Sequence, residues 1–252
     1  MPRQVAFTAV AGLPEIVAGA DLASLIGGAL RAAAISLMTG DVLVVAQKIV
    51  SKAEGRYVDL ATVVPSAEAI ALAARVRKDP RFVQVVLDES SAVLRAVPNV
   101  LITRHRSGFV MANAGIDRSN VPGANDEGEG RVLLLPVDCD ASAARLSRAF
   151  GDVGVVVSDS FGRPWRQGVV NVALGVAGVP AILDLRGGTD REGRVMQTSQ
   201  VALADAVAAG AGLVMGEARE GTPVVHVRGL DFSGPLADGR SLLRPLEEDL
   251  FG

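Results

Sequence analysis

Short apolar runs that stop abruptly at polar residues constrain the fold of this chain more than any other feature. Val42–Ala46 is fully apolar, Val153–Val157 is dominated by valine, and Val224–Val227 is a further short valine-rich run. Runs of this length and β-branched composition are typical of strands buried in a sheet. Amphipathic helical patterns separate them, for example at Leu22–Ala34 and Ala67–Val76. The sequence therefore predicts an α/β fold with α+β mixed sheets.

The same patterns predict the remaining elements. Further strands are predicted over Gln4–Val10, Val97–Ile102, Arg131–Val137 and Leu213–Met215. Further helices are predicted over Arg81–Glu89, Ala141–Phe150 and Val201–Ala211, with a helical segment at Leu242–Leu250. His105 lies between two arginines and is interpreted as a polar surface residue.

Composition excludes several classes of protein. With 252 residues and 49% hydrophobic content, the chain can form one large domain or two small ones. A net charge of −3 provides no basic footprint for nucleic acid. The single cysteine, Cys139, excludes an internal disulfide and fits a reducing compartment. No apolar run is long enough for a bilayer span, and the N-terminus lacks a signal-peptide core, so we expect a cytoplasmic protein.

A cluster of polar side chains follows the valine-rich run at Val153. Ser158–Ser160 provides a carboxylate and two hydroxyls, and Gly162 and Pro164 predict a loop directly afterwards. Arg163 and Arg166 flank that loop. Oxygen ligands beside guanidinium groups suit a hard divalent cation that holds a polyphosphate. A simple Asp/Ser turn with two surface arginines is the alternative.

Two lysines follow another buried run. Lys48 and Lys52 are four residues apart, so in a helical turn they share one side. Because like charges repel, this arrangement favours an anion between them, and we interpret the pair as a phosphate-binding site. The alternative is a solvated basic turn.

Three acidic loops are each predicted to follow a strand, at Asp117, at Asp159–Ser160 and at Glu217. Asp117 and Asn120 could alternatively form an ordinary Asx turn. Together the loops could bind one or two divalent cations, which is how phosphoryl transfer is commonly served. No glycine-rich Rossmann or P-loop motif occurs, so neither of those nucleotide folds is supported. The residues alone predict a metal-dependent enzyme acting on a phosphorylated ligand.

The chain resembles the coenzyme F-420:L-glutamate ligase family, the gamma-glutamyl ligases of a deazaflavin cofactor. The matching segments are GLPEI (12–16), GDVLVVAQKIVSKAEGR (40–56), NAGIDRSNV (113–121), SDSFGRPWRQG (158–168), DLRGGTDREGR (184–194) and MGEAREGTPVVHVRGL (215–230). They cover nearly the whole chain in the family's order. Ser160 stands where threonine is commoner in the family, and both side chains offer a hydroxyl ligand.

This resemblance implies an unusual family-specific α/β ligase fold. It implies a single ligase unit over residues 1–252, with two intertwined subdomains as a variant, and no C-terminal nitroreductase-like domain. It also implies a homodimer with the site near the subunit interface. The implied reaction activates the terminal carboxylate of coenzyme F-420-0 with GTP as an acyl phosphate. The α-amine of L-glutamate then attacks, giving a γ-linked product, GDP and phosphate. Two Mg²⁺ or Mn²⁺ ions are expected, with K⁺ as a further candidate.

The resemblance also assigns site residues. The implied GTP contacts are Leu13, Pro14, Glu15, Ile16, Gln47, Lys48, Lys52, Asn120, Met215, Gly216, Glu217, Ala218, Arg219, Glu220, Gly221 and Thr222. Asp117 and Asp159 match one metal position, and Ser160 and Glu217 match a second.

The cationic pocket for glutamate is a separate assignment. Arg163 and Arg166 are candidates, because a guanidinium fork binds a carboxylate bidentately. They could instead bind phosphate or brace the loop. Two other functions stay open: a metal-dependent phosphohydrolase or kinase, and a non-catalytic deazaflavin- or nucleotide-binding protein.

Overall fold

The computed structural model describes residues 4–119 and 130–249. The helices of this part of the chain are α1 (Leu22–Ala32), α2 (Gln47–Ala53), α3 (Ala67–Val76), α4 (Pro80–Asp88), α5 (Cys139–Ala149) and α6 (Leu203–Met215). Its strands are β1 (Ala6–Ala9), β2 (Val42–Ala46), β3 (Tyr57–Asp59), β4 (Ser90–Val97), β5 (Val100–His105), β6 (Val110–Ala112), β7 (Arg131–Leu133), β8 (Gly154–Arg163), β9 (Arg166–Ala177), β10 (Leu183–Asp184), β11 (Gln200–Val201) and β12 (Val224–Arg228). None of the described helices is long and apolar enough to cross a membrane.

A five-stranded main sheet forms the larger half of the fold, in the order β1-β12-β2-β8-β9. The central pair β2 and β8 is parallel, and the other neighbours are antiparallel. Apolar side chains of α1, α2 and α5 cover one face of the sheet. Those of α6 cover the other face. Both faces are therefore buried, which explains why β2 is apolar throughout.

The small region, residues 57–119 and 130–134, has its own apolar core. Helices α3 and α4 pack on the three-stranded sheet β4-β5-β6 and the pair β3-β7. Leu60, Val76 and Val83 are completely buried there. Local signals fix the helix ends: Ser66 caps α3 by accepting from Ala69 N–H, and Asp79 caps α4 by accepting from Arg81 N–H.

The predicted fold class is confirmed, because helices and mixed sheets alternate along the chain. The predicted strand Val42–Ala46 and the predicted helix Ala67–Val76 coincide with β2 and α3. Most other predicted elements are present with ends shifted by one to four residues.

The polar cluster at Asp159 was predicted to follow a strand, but it lies inside one. Strand β8 continues through Ser158–Ser160 to Arg163, because β9 pairs with it over its whole length. The predicted loop is reduced to the two-residue turn Pro164–Trp165. The third acidic loop is also different: Leu213–Met215 is the last turn of α6, so Glu217 follows a helix rather than a strand.

Three further predictions made from the sequence were wrong, in whole or in part. The strand expected at Val97–Ile102 is interrupted by the turn Pro98–Asn99 of the β4-β5 hairpin, where Asn99 has a φ of 67°, and only Val100–Ile102 of the predicted range lies in β5. His105 is buried rather than on the surface, and its Nε2 lies 3.5 Å from Glu89 Oε2. The tail forms two short 3₁₀ turns, Gly239–Leu242 and Leu246–Glu248, instead of one helix.

Candidate active site

A cavity of about 700 Å³ opens where the parallel pairing of β2 with β8 ends, at Ala46 and Ser158, between the main sheet and the small region. In open α/β sheets, ligands bind in the crevice beyond the carboxyl ends of the parallel strands. Five segments line the cavity: the loop before α1, the start of α2, the chain after β6, the β8-β9 pair and the loop after α6.

This cavity brings together nearly all of the predicted site residues. Those that line it are Leu13, Pro14, Glu15, Ile16, Gln47, Lys48, Lys52, Asp117, Asp159, Ser160, Met215, Gly216, Glu217, Ala218, Arg219, Glu220, Gly221 and Thr222. Asn120 lies outside the described residues. Arg163 and Arg166 are described but do not line the cavity.

The two lysines form ion pairs with carboxylates and do not extend freely into solvent. Helix α2 begins directly at the end of β2, which turns Lys48 and Lys52 toward the cavity. Lys48 Nζ lies 2.5 Å from Asp117 Oδ2 and donates to Ser119 Oγ at 2.9 Å. Lys52 is buried and forms an ion pair with Glu15. A solvated basic turn is therefore excluded, and each lysine enters the cavity with its charge balanced.

Asp117 forms the Asx turn considered for it and, in addition, an ion pair that the sequence did not predict. Its Oδ1 accepts a hydrogen bond from Ser119 N–H at 2.7 Å, which is the geometry of an Asx turn. Its Oδ2 meets Lys48. Burial works to raise the pKa of Asp117, but the contacts with Lys48 and Ser119 outweigh it and lower the pKa. Asp117 is therefore an ionised carboxylate on the cavity wall.

Asp159 has the opposite electrostatics. Desolvation by the surrounding protein raises the pKa of Asp159 to about 7, against the Ser160 N–H, which donates to its Oδ1 at 2.9 Å. The negative charges of Asp117 and Glu217 raise this pKa further, and Lys48 opposes them. Ionised Asp159 thus lacks sufficient positive charge around it, which is the environment a bound cation would correct.

The donor set fits a hard cation, although the carboxylates do not form a ready-made cage. In the described ranges, no three Asp, Glu, His or Cys side chains come close enough together to hold a metal ion. Carboxylate and hydroxyl oxygens from Asp117, Asp159, Ser160 and Glu217 nevertheless line one cavity. Oxygen donors of this kind are preferred by Mg²⁺ and Mn²⁺.

Three polar residues that line the cavity, Ser119, Ser158 and Asn171, had no assigned role, although Ser158 belongs to the polar cluster noted in the sequence. Ser158 is 1% exposed, and its Oγ has no hydrogen-bond partner among the described residues. Asn171 is buried, and its Nδ2 donates to Met215 Sδ at 3.9 Å. The signal for Asn171 was available, because it is the only polar residue in the apolar run 169–177.

The two arginines lie at the tip of the β8-β9 hairpin, beyond the cavity. Arg163 Nη2 donates to the Gln167 carbonyl at 2.9 Å, so Arg163 braces the hairpin, which was one of the predicted alternatives. Trp165 in the turn is 90% exposed and has a φ of 62°. Within this chain, Arg163 and Arg166 therefore do not form the wall of the candidate site.

Comparison with known proteins gives a consistent result over the whole chain. A family model described as F420-0:Gamma-glutamyl ligase matches residues 12–229. A protein from Methanothermobacter thermautotrophicus is 43% identical over 254 residues, which cover 98% of both chains. One from Methanopyrus kandleri is 45% identical over 243 residues, covering 92% of both. One from Natronomonas pharaonis is 49% identical over 247 residues, covering 96% of this chain and 92% of the relative.

All three relatives are named coenzyme F420:L-glutamate ligase. The matched range contains each segment that lines the cavity, from the loop before α1 to the loop after α6. The chain therefore belongs to the F420-0:gamma-glutamyl ligase family.

Proposed function

We propose that this protein joins L-glutamate, through its α-amine, to the terminal carboxylate of coenzyme F-420-0, with GTP as the energy source. The observation that carries the proposal is the cavity, which gathers the predicted phosphate-binding lysines and oxygen ligands at one end of the main sheet. Family membership supports the ligase chemistry and the two substrates. Dependence on GTP and the acyl phosphate are our additions.

Activation is needed because a carboxylate does not condense with an amine in water, since oxide is a poor leaving group. Transfer of the GTP γ-phosphoryl group to the carboxylate makes an acyl phosphate, and attack by the amine then releases phosphate. The residues supply positioning and charge, which is most of what phosphoryl transfer requires. Gln47, Lys48 and Lys52 are assigned to the phosphates. The loops 13–16 and 215–222 are assigned to the rest of the nucleotide.

The proposed cations would be held by oxygen ligands on the cavity wall. Asp117 and Asp159 would bind the first, and Ser160 and Glu217 the second. When bound, such ions stabilise the negative charge that develops on phosphoryl oxygens. Asp159 supports this assignment, because its neighbours leave its charge uncompensated.

We also propose a homodimer in which the β8-β9 hairpin contacts the partner. Trp165 at the tip is almost fully exposed, and a large aromatic side chain at such a position is typical of an interface. In such a dimer, Arg163 and Arg166 would lie near the interface. We propose that they bind glutamate from that position.

The test is one assay with two readouts, GDP release and product mass. The protein is incubated with GTP, Mg²⁺ or Mn²⁺, L-glutamate and the unglutamylated coenzyme. We expect a product heavier by one or more glutamyl units, with GDP formed only when glutamate and coenzyme are both present. ATP in place of GTP serves as the control for nucleotide choice. GDP release that is equal without glutamate, with no gain of a glutamyl unit, would favour a phosphohydrolase instead.

A further inference from the structure

The α6 side of the cavity carries a row of polar groups that the family assignment uses only in part. Side chains alternate along β8, so Ser158 and Ser160 point to the same face as Val156, which packs with α6. Asn171 is the cross-strand partner of Ser160 on β9 and lies on that face too. Glu217 follows the end of α6. All of these polar residues line the cavity.

The side chain of Asn171 has a defined position, but its hydrogen-bonding capacity is only partly used by the described residues. Its Nδ2 is directed to the sulfur of Met215, which is a weak acceptor. No conventional hydrogen bond to its side-chain Oδ1 occurs in residues 4–119 and 130–249. An amide oxygen that borders a cavity and meets no protein donor is free to accept from a ligand or to bind a cation. The side chain therefore has an acceptor available for a ligand in the cavity.

Helix α6 provides the space that this side chain occupies. A Cβ built on Gly212 would lie 2.9 Å from both Cγ and Oδ1 of Asn171. Real Cβ atoms essentially never approach another heavy atom this closely, so a side chain at position 212 would force the amide to shift. The position of Asn171 thus depends on a specific small residue on the neighbouring helix.

The neighbouring hydroxyl supports the same reading of this wall. Ser158 is completely buried, with an unpartnered Oγ, between Ala46 on β2 and Ala173 on β9. The two lysines are not available to this face, because they extend from α2 on the opposite face and are paired with Asp117 and Glu15. The α6 side is thus a wall of oxygen acceptors and hydroxyls, which suits a hard divalent cation better than an anion.

We propose that Asn171 Oδ1 is a further ligand of the divalent cation assigned to Ser160 and Glu217. The proposal rests on the proposed function, because that function assigns the cation to this wall. It adds a neutral oxygen ligand that neither the sequence pattern nor the family resemblance indicated. A neutral ligand adds coordination without adding to the negative charge that the cavity already carries from Asp117, Asp159 and Glu217.

The experiment is a titration with Mn²⁺, followed by electron paramagnetic resonance, in the presence of a saturating non-hydrolysable GTP analogue. Wild-type protein is expected to bind two Mn²⁺ ions. Asn171→Ala should weaken one of them by about tenfold, as loss of a metal-site contact typically does. Asn171→Asp should retain both, because a carboxylate is also a hard oxygen ligand. Two Mn²⁺ ions bound with unchanged affinity by folded Asn171→Ala would overturn the proposal.

Gly212→Ala provides an independent perturbation that removes no polar group. Its added methyl should displace the amide and weaken the same Mn²⁺ ion. In protein that already carries Asn171→Ala, the added methyl meets no amide and should have little further effect. Gly28→Ala on α1 is the matched control, because its Cβ would meet only Arg31 Nη2, at 3.9 Å. Additive losses from Gly212→Ala and Asn171→Ala would contradict a shared mechanism.

A third variant separates failure of this inference from failure of the proposed function. If Glu217→Gln loses one Mn²⁺ ion and Asn171→Ala loses none, only the inference about Asn171 is wrong. If wild-type protein binds no Mn²⁺ in the presence of the nucleotide, the cation assignment of the proposed function is wrong as well.

Discussion

At the scale of single residues, the carboxylate of Asp159 in the cavity destabilises the fold when it is ionised. Its pKa of about 7 lies above the ordinary value of 3.8, so the native protein binds this proton more tightly than the unfolded chain does. The free energy of unfolding should therefore fall as pH rises from about 4 to about 7. This loss of stability is the consequence of an arrangement of side chains that is suited to a bound cation.

This sign gives a prediction for Asp159→Asn, which removes the charge and keeps the shape. Without added metal at pH 8, the variant should be more stable than wild type by on the order of 1 kcal/mol, raising Tm by roughly 2–4 °C. At pH 5 the difference should nearly vanish, because wild-type Asp159 is then mostly protonated. Ligase activity should be lost at both pH values. Thermal unfolding and the product assay test both statements, and an active Asp159→Asn protein would refute the metal assignment.

Asp41 shows the opposite behaviour at the other end of β2. Its carboxylate accepts from Arg228 Nε and Nη2 at 2.9 and 2.6 Å, and His226 Nε2 lies 2.9 Å away. Burial would raise the pKa of Asp41, but the contacts with Arg228 and His226 together outweigh it and lower the pKa to about 2. The group therefore stabilises the fold above its unfolded pKa of 3.8, and this stabilisation is lost as pH falls toward 2.

We expect Asp41→Asn to lower the free energy of unfolding by about 2 kcal/mol at pH 7, because folding lowers the pKa of this carboxyl from 3.8 to about 2. The deficit should shrink between pH 4 and pH 2, as the wild-type carboxylate becomes protonated. Urea unfolding at a series of pH values measures it. A deficit that is independent of pH would mean that packing, and not charge, explains the loss.

At the scale of elements, a β-bulge sits opposite the site. Val157 pairs with Gly175 and Ser158 with Ala173, so Leu174 is an extra residue in β9. The N–H groups on either side of it donate to carboxylates from helices on opposite faces of the sheet. Ala173 N–H donates to Asp205 on α6 at 2.9 Å, and Val176 N–H donates to Asp140 on α5 at 2.8 Å. The bulge is therefore clamped next to Ser158 and Asp159.

Asp205→Ala should leave the buried Ala173 N–H unpaired and destabilise the protein by about 1–3 kcal/mol. Asp205→Asn should cost less, because its amide oxygen can still accept. Burial also raises the pKa of Asp205, so a neutral replacement matches an environment that already disfavours the charge. Chemical denaturation of the two variants is the measurement. Equal stability of Asp205→Ala and wild type would show that the bulge does not need this clamp.

The same elements show how far the sequence could be interpreted. Helix α3 was predicted to its ends from its amphipathic pattern, and the structure shows that Ser66 caps its start and that it ends before Pro80. The extension of β8 depends on pairing with β9, and the periodicity of one strand does not contain that information. Leu213–Met215 is a short apolar run, which periodicity cannot assign to strand or helix. His105 contacts Glu89, sixteen residues earlier in the chain, and its flanking arginines do not indicate this burial.

The candidate site was more predictable than the strand ends around it. Carboxylates, hydroxyls and lysines next to apolar runs could be recognised one by one, and 18 of the residues assigned to the site line one cavity. Which side chain contacts which could not be inferred, because Lys48 and Asp117 are far apart in sequence. Asn171 was missed because a lone amide in an apolar strand has no motif.

At the scale of the whole molecule, the exposed hairpin tip predicts the oligomeric state. Trp165 is 90% exposed at a φ of 62°, which a bulky side chain rarely adopts. Trp165→Asp should convert a homodimer into monomers, as followed by light scattering after gel filtration. Aspartate tolerates this backbone conformation better than tryptophan, so the variant should remain folded. A wild-type protein that is monomeric at micromolar concentration would refute the dimer.

The ion pair between Lys48 and Asp117 also joins the main sheet to the small region, and it has a consequence for the order in which substrates add. While Lys48 neutralises Asp117, it competes with a metal ion for the same carboxylate. A nucleotide that attracts Lys48 to its phosphates frees Asp117, so each ligand should raise the affinity for the other by reciprocal linkage. Lys48→Gln should therefore bind GTP more weakly but bind Mn²⁺ alone more tightly, by roughly two- to fivefold for a pair worth about 0.5–1 kcal/mol. Calorimetry of each ligand alone and of both together measures this. If Lys48→Gln bound Mn²⁺ more weakly, Lys48 would favour binding of the cation and would not compete with it for Asp117.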